Sequence, residues 1–300
     1  MSWYEVLGIV IAILAGLVTI GGGIVWVLKR FRRTREISDN DPSGGISLKI
    51  PPSPPGMTHA EIKLTIDYVD GLPDAPPKIK DHFEEARQLK KEYKYREAIK
   101  QYQACFQPET TDSQRAALHI LIGNCFYHMS ELEEAEGHYR QAETEAKEAN
   151  DKQGLAAALG NIGNICQTKG ELDKALEKFE KILTIHKDIG NRKGEAADLG
   201  NIGIIYKNKG ELDKALDYHQ QSLKIEKEIG NKEGQAQEVG NIGIVYRRKG
   251  ELDKALDYHL DALKINQEIG RKEGEAIQLG NIGLIYQTKG EMDKALDYHQ

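Results

Sequence analysis

Cysteine is scarce: Cys105, Cys125 and Cys166 are the three in 300 residues, with no CxxC spacing and no histidine at ligand distance in sequence. That excludes a disulfide framework and gives no basis for a zinc site; small buried side chains in a reducing compartment account for them. The nine histidines are scattered, without an HExxH or a His/carboxylate cluster, so neither a metal nor a cofactor is expected. An excess of positive charge is also missing, since 41 Lys and Arg face 47 Asp and Glu for a formal net charge of −6. Nucleic acid is therefore not expected as a partner, because phosphate binding needs a basic face to release counterions. No P-loop and no nucleophile at plausible spacing from a base occurs, and carboxylate pairs such as those in ELEEAE (Glu131–Glu136) belong to solvated faces. Catalysis within these residues is not expected.

What the chain does have is 39% hydrophobic and 29% charged residues, enough for a folded domain over most of its length. Its N-terminus differs from the rest. From Val6 to Leu28 no residue is charged, a run of 23 residues that as a helix rising about 1.5 Å per residue covers a hydrocarbon core of roughly 30 Å. No base precedes the run, whereas Lys29, Arg30, Arg32, Arg33 and Arg35 follow it, and Trp3, Tyr4 and Trp26 fall near its ends. By the positive-inside rule residues 1–35 are an uncleaved single-pass anchor, with everything after Lys29 in the cytoplasm. Gly8, Ala12 and Gly16 lie four apart, a spacing open to homo-oligomerisation in the membrane; the general abundance of small residues in spans explains it better.

Residues 36–77 contain SDNDPSGG, PPSPPG and DAPP and read as a linker. Within it Ile46–Ile50 and Glu61–Val69 alternate apolar and polar residues, as two strands would, though an isolated pair is marginal.

Residues 78–300 repeat with a period of 40: Gly163, Gly203, Gly243 and Gly283 keep this spacing, as do Ala175, Ala215, Ala255 and Ala295, and Gly170, Gly210, Gly250 and Gly290. Inside one unit Leu199, Ile202, Gly203 and Tyr206 share a face of a first helix, and Leu212, Ala215, Leu216, His219 and Leu223 share a face of a second. Gly210 separates the two helices and Gly230 follows the second. Weaker copies upstream hold Ile122, Gly123, Phe126, Ala135 and Tyr139, with Ser130 at the turn, and then Ala86, Leu89, Ala98 and Tyr102, closed by Pro108. About five complete hairpins and a truncated sixth are expected, in an all-α array.

This arrangement resembles the tetratricopeptide repeat, and its longer unit is most similar to the 40-residue subclass of the Leu-Gly-Asn-repeat adaptors and, more distantly, kinesin light chains. The resemblance implies a right-handed superhelix of helix hairpins that is non-catalytic and holds a partner peptide in its concave groove. Two departures stand out: the long copies lack the terminal proline, and His219, His259 and His299 stand where an aromatic is common. The histidines are expected to pack half-buried on the second helix.

The motif LGNIG places two glycines in each first helix, at about 1 kcal/mol each against alanine. Gly203 is expected to face Ala215, where two helix axes come close. Ala197, Asn201, Ile204 and Asn208 form a second stripe, which the resemblance places on the groove. Asn161, Asn201, Asn241 and Asn281 would then stand in a row, each carboxamide offering a donor and an acceptor to a peptide backbone, with Gly200 and its equivalents letting that backbone approach. Asn164, Ile204, Ile244 and Leu284 line the same surface, and Lys207, Arg247 and Arg248 make a basic spot beside it. An apolar peptide with acidic residues or a free carboxylate fits such a groove best; a solvated groove wall explains the bases equally well.

The expected function is a membrane-anchored interaction scaffold. The alternative is the sensory or regulatory arm of a longer protein, because Gln300 falls partway through a second helix and an effector enzyme would lie beyond it.

Overall fold

The computed structural model describes residues 77–299, which fold as α-helices joined by short turns. The expected anchor, the linker as far as residue 76 and both alternating segments lie outside the described residues. Among the described residues no helix is long and apolar enough to cross a membrane.

Twelve helices pair in chain order. The first hairpin is α1 (Pro77–Lys91) with α2 (Tyr95–Ala104), and the second is α3 (Asp112–His128) with α4 (Leu132–Glu148). The third is α5 (Lys152–Thr168) with α6 (Leu172–Asp188), and the fourth α7 (Arg192–Lys209) with α8 (Leu212–Glu228). α9 (Lys232–Arg248) pairs with α10 (Leu252–Glu268), and α11 (Lys272–Thr288) with α12 (Met292–His299).

Local chemistry sets the boundaries. Gly210 ends α7 at φ +80°, in the left-handed region that only glycine enters without strain. Thr111 starts α3 with a full capping box: its hydroxyl accepts from the Gln114 backbone N–H, and the Gln114 side-chain Oε1 accepts from the Thr111 backbone N–H.

The apolar stripes pack within and between hairpins. Ala175, Ala215 and Ala255 have no exposed surface, and one core cluster joins Ala215 and Leu216 of α8 to Ile242 and Val245 of α9. The hairpin rims carry stacked rings, Tyr206 on Tyr218 at 5.3 Å and Tyr246 on Tyr258 at 5.3 Å, with the Lys214 ammonium 5.0 Å from the Tyr206 ring. Lys209 reaches back to Asp173, Lys249 to Asp213 and Lys289 to Asp253 at 2.6 to 2.7 Å. Their aspartates are almost fully exposed, so solvent screens each pair and the core decides cohesion.

First helices of successive hairpins touch one another, as α3 with α5, α7 with α9 and α9 with α11 do, whereas second helices scarcely meet. The first helices therefore form the inner row.

The glycine expectation needs correction. A Cβ at Gly203 would fall 2.8 Å from the His219 ring, one at Gly163 2.9 Å from Phe179 and one at Gly243 2.9 Å from His259. The space is taken by the ring four residues beyond the alanine, and the alanine is not the nearest contact. At Gly137, inside α4, nothing lies within 4 Å. Gly137→Ala should thus gain up to about 1 kcal/mol of helix propensity, while Gly203→Ala should lose about 1–3 kcal/mol to overpacking. Denaturant melts of both variants check this; shifts of the same sign would refute the ring-contact account.

Candidate functional site

Asn161, Asn201, Asn241 and Asn281 occupy one register of α5, α7, α9 and α11, and each is half-buried on the inner row. Among the described residues none of the four carboxamides hydrogen-bonds to a protein group, and the Asn241 Nδ2 donor is shielded from solvent as well. A donor in that state has lost its water and gained nothing in return, so turning toward a ligand acceptor is favourable. Asn124, by contrast, is buried and accepts from the Tyr139 hydroxyl at 2.6 Å.

One turn further on, Asn164, Ile204 and Ile244 are half-buried, while Leu284 is 42% exposed. Ile277, which sequence reasoning missed, is 50% exposed one turn before Asn281, so α11 presents apolar groups on both sides of its carboxamide. The missed signal was the replacement of Ala197 by isoleucine at the equivalent position.

Lys207 and Arg247 are half-buried and Arg248 is exposed. Among the described residues none of the three makes an ion pair, and Arg247 Nε is buried without a partner. Burial holds the Lys207 ammonium below its usual range, with the charge of Arg248 adding to the effect and Glu238 opposing it. Arg247 is held down by burial and by Arg248. Arg248 Nη1 donates to the Lys207 carbonyl at 2.7 Å, which ties the fourth unit to the fifth. The arrangement is a positive site without an adequate counter-ion.

Two expectations are overturned. Gly200 is closed to a ligand, because a Cβ there would lie 2.7 Å from Glu238 Oε1, and Gly240 is filled against Gln278 at 3.0 Å. These glycines make room for a polar side chain of the following hairpin. His219 and His259 are fully buried, not half-buried. Their Nδ1 atoms lie 2.7 Å from Glu238 Oε2 and 2.8 Å from Gln278 Oε1, each across a junction between hairpins. The side chain of His299 lies outside the described residues. Among those residues no group of His, Cys, Asp or Glu is arranged to hold a metal ion.

With the hairpins and the inner row in place, comparison with known families is decisive: residues 113–188, 154–228 and 234–300 match the tetratricopeptide repeat. The chain belongs to the tetratricopeptide repeat family. No curated protein matches it. Solved structures of tetratricopeptide type share the fold at low identity. The signal transduction ATPase with numerous domains and a tetratricopeptide repeat sensor from Pyrococcus horikoshii is 19% identical, with a TM-score of 0.65. That match covers 79% of this chain and 36% of the other. The Rap conjugation gene regulator of the plasmid pLS20, solved with a Phr peptide, is 17% identical with a TM-score of 0.55, covering 73% of this chain and 70% of that one. A putative kinesin light chain with nearly identical repeats from Podosopora anserina is 15% identical, TM-score 0.52, covering 62% and 92%. Tetratricopeptide repeats imply a protein–protein interaction scaffold.

Proposed function

We propose that this tetratricopeptide protein is a non-catalytic scaffold that holds an extended partner segment along the inner row of first helices, tethered to a membrane by residues 6–28 with the array in the cytoplasm. The observation that carries the reading is the register of four unpaired carboxamides on successive hairpins. Spacing by one hairpin lets them serve a ligand backbone independently of its side chains, while side-chain choice falls to the flanking groups. Ile204, Ile244, Ile277 and Leu284 favour apolar residues, and the uncompensated charges of Lys207, Arg247 and Arg248 favour a carboxylate. The uncharged run with bases only on its C-terminal side supports the tether and its orientation. The peptide-bound relative solved with the same fold supports a peptide as the ligand class.

The test is a pull-down from host membranes and cytosol with the full chain, beside a variant carrying Asn161→Ala, Asn201→Ala and Asn241→Ala. A partner lost only from the folded variant is expected. Identical partners on both baits would remove the inner row as the working surface.

A further inference from the structure

The second hairpin departs from its neighbours in one connected place. In the fourth hairpin Leu199 and Ile225 sit in a single apolar cluster, with Tyr218 packed against it. Forty residues apart, the matching positions hold Leu159 and Ile185 in the third hairpin and Val239 and Ile265 in the fifth. The second hairpin has His119 for the leucine, Glu145 for the isoleucine and His138 for the tyrosine. The leucine and isoleucine positions have become titratable together, and the third position, Lys178 in the third hairpin and Tyr258 in the fifth, holds a histidine. The fold does not need this, since the other copies assemble without it, and burying polar groups opposes folding.

The three groups form a chain. His119 Nδ1 lies 2.9 Å from His138 Nδ1, and His119 Nε2 lies 3.6 Å from Glu145 Oε1. The His119 and Glu145 side chains are 14% and 20% exposed, and Glu145 Oε2 is buried without a partner. Rings pack on both imidazoles, Phe106, just after α2, at 4.8 Å from His119 and Phe126 stacked on His138 at 5.4 Å.

Because His119 presents opposite ring nitrogens to its two neighbours, the chain has two states. With Glu145 protonated, its hydroxyl points at His119 Nε2, and His119 Nδ1–H donates to His138. With Glu145 ionised, His138 Nδ1–H donates to His119, whose Nε2–H turns to the carboxylate. The second state buries a negative charge.

We propose that His138, His119 and Glu145 form a proton-operated latch, closed while Glu145 is protonated and loosened when it ionises, which sets the rigidity of the second hairpin and its junction with the first. Burial pushes the Glu145 carboxyl up to about 7, with Asp112 and Glu148 in the same direction and Arg115 against it. His119 is pushed down to about 4 by burial, then by His138 and Arg115, and His138 is lowered by burial. α5, packed on the other side of α4, carries Lys152, which pairs with Asp188, and is capped by Asp151, whose side chain accepts from the Gly154 N–H; α2, packed on α3, carries Arg96, Glu97 and Lys100.

The signs follow. Glu145 has a folded value above its unfolded one, so its contribution is full below about pH 4.5 and is lost as pH rises through about 7. His119 has a folded value below its unfolded one, so its contribution is full above about 6.5 and is lost as pH falls through about 4. The second hairpin should hold best between these losses, near pH 5–6, and open as pH goes from 6 to 8.

Hydrogen exchange on the full chain at pH 6 and pH 8, corrected for intrinsic rates, reads this by segment. Protection over residues 112–148 should fall about two- to three-fold more than over 192–268, because the roughly ten-fold loss from Glu145 is partly offset by the His119 contribution regained over the same range. Glu145→Gln should abolish that excess. His119→Leu with Glu145→Ile, which restores the pattern of the other hairpins, keeps the test valid if the single variant fails to fold. An equal pH response in all hairpins, or one that persists in the double variant, overturns the latch.

Discussion

His219→Phe should destabilise the array by about 3–5 kcal/mol, although phenylalanine fills this position one hairpin earlier as Phe179. His219 has no exposed surface, and its Nδ1 lies 2.7 Å from Glu238 Oε2. Glu226, 6% exposed, stands in the same junction, its carboxyl raised by burial and, in smaller part, by Glu238. Phenylalanine preserves volume, so the loss comes from leaving the buried Glu238 carboxyl without its His219 partner, beside a Glu226 whose Oε2 already lacks one. The preceding junction shows the remedy: there Phe179 coexists with His186, whose Nδ1 lies 2.7 Å from Asp198 Oδ2. His186 occupies the place of Glu226 and Asp198 that of Glu238. His219→Phe combined with Glu226→His recreates this set beside Glu238 and should recover most of the loss. Guanidinium melts of the single and double variants are the measurement. A single variant that costs under about 1 kcal/mol, or a double variant no better than the single, would show that the pairing does not carry the junction.

The second large effect concerns the ligand. Lys207→Gln with Arg247→Gln should leave the fold intact, because Gln167 and Gln287 hold these positions in the third and sixth hairpins. The same variant should weaken an acidic partner segment recovered by the wild-type chain by about 30- to 1,000-fold, as expected when one side of a desolvated charge pair is removed. The affinity that remains should also depend less on salt. Titration by calorimetry at two ionic strengths distinguishes the outcomes. Unchanged affinity would return the cluster to a solvated groove wall, and lost affinity with lost helicity would mean a structural role for Lys207 or Arg247.

These predictions differ in how far they could be read from the chain alone. Hairpin boundaries were legible because glycines such as Gly210 and Gly230, both at φ > 0, end helices within a few residues of their own position. The common register of Asn161, Asn201, Asn241 and Asn281 on the first helices was legible because a 40-residue period copies each surface position onto the next unit, whereas their place on a groove came from the resemblance alone. The junctions were not. Gly200 and Gly203 stand three apart in one motif and both fill space, yet one makes room for Glu238 of the following hairpin and the other for the His219 ring of its own. Periodicity identifies a face; it does not say which atom arrives opposite it.

The sequence by itself determined an all-helical array, its 40-residue unit and the face that packs, because each follows from local propensity and the 3.6-residue period. Only the tertiary structure decided that three junctions carry different buried polar partners, His186 with Asp198, His219 with Glu238 and His259 with Gln278, and that Lys207, Arg247 and Arg248 stand without an ion-pair partner. Those facts depend on distances between side chains at least twelve residues apart, which are fixed when hairpins stack and desolvate what lies between them.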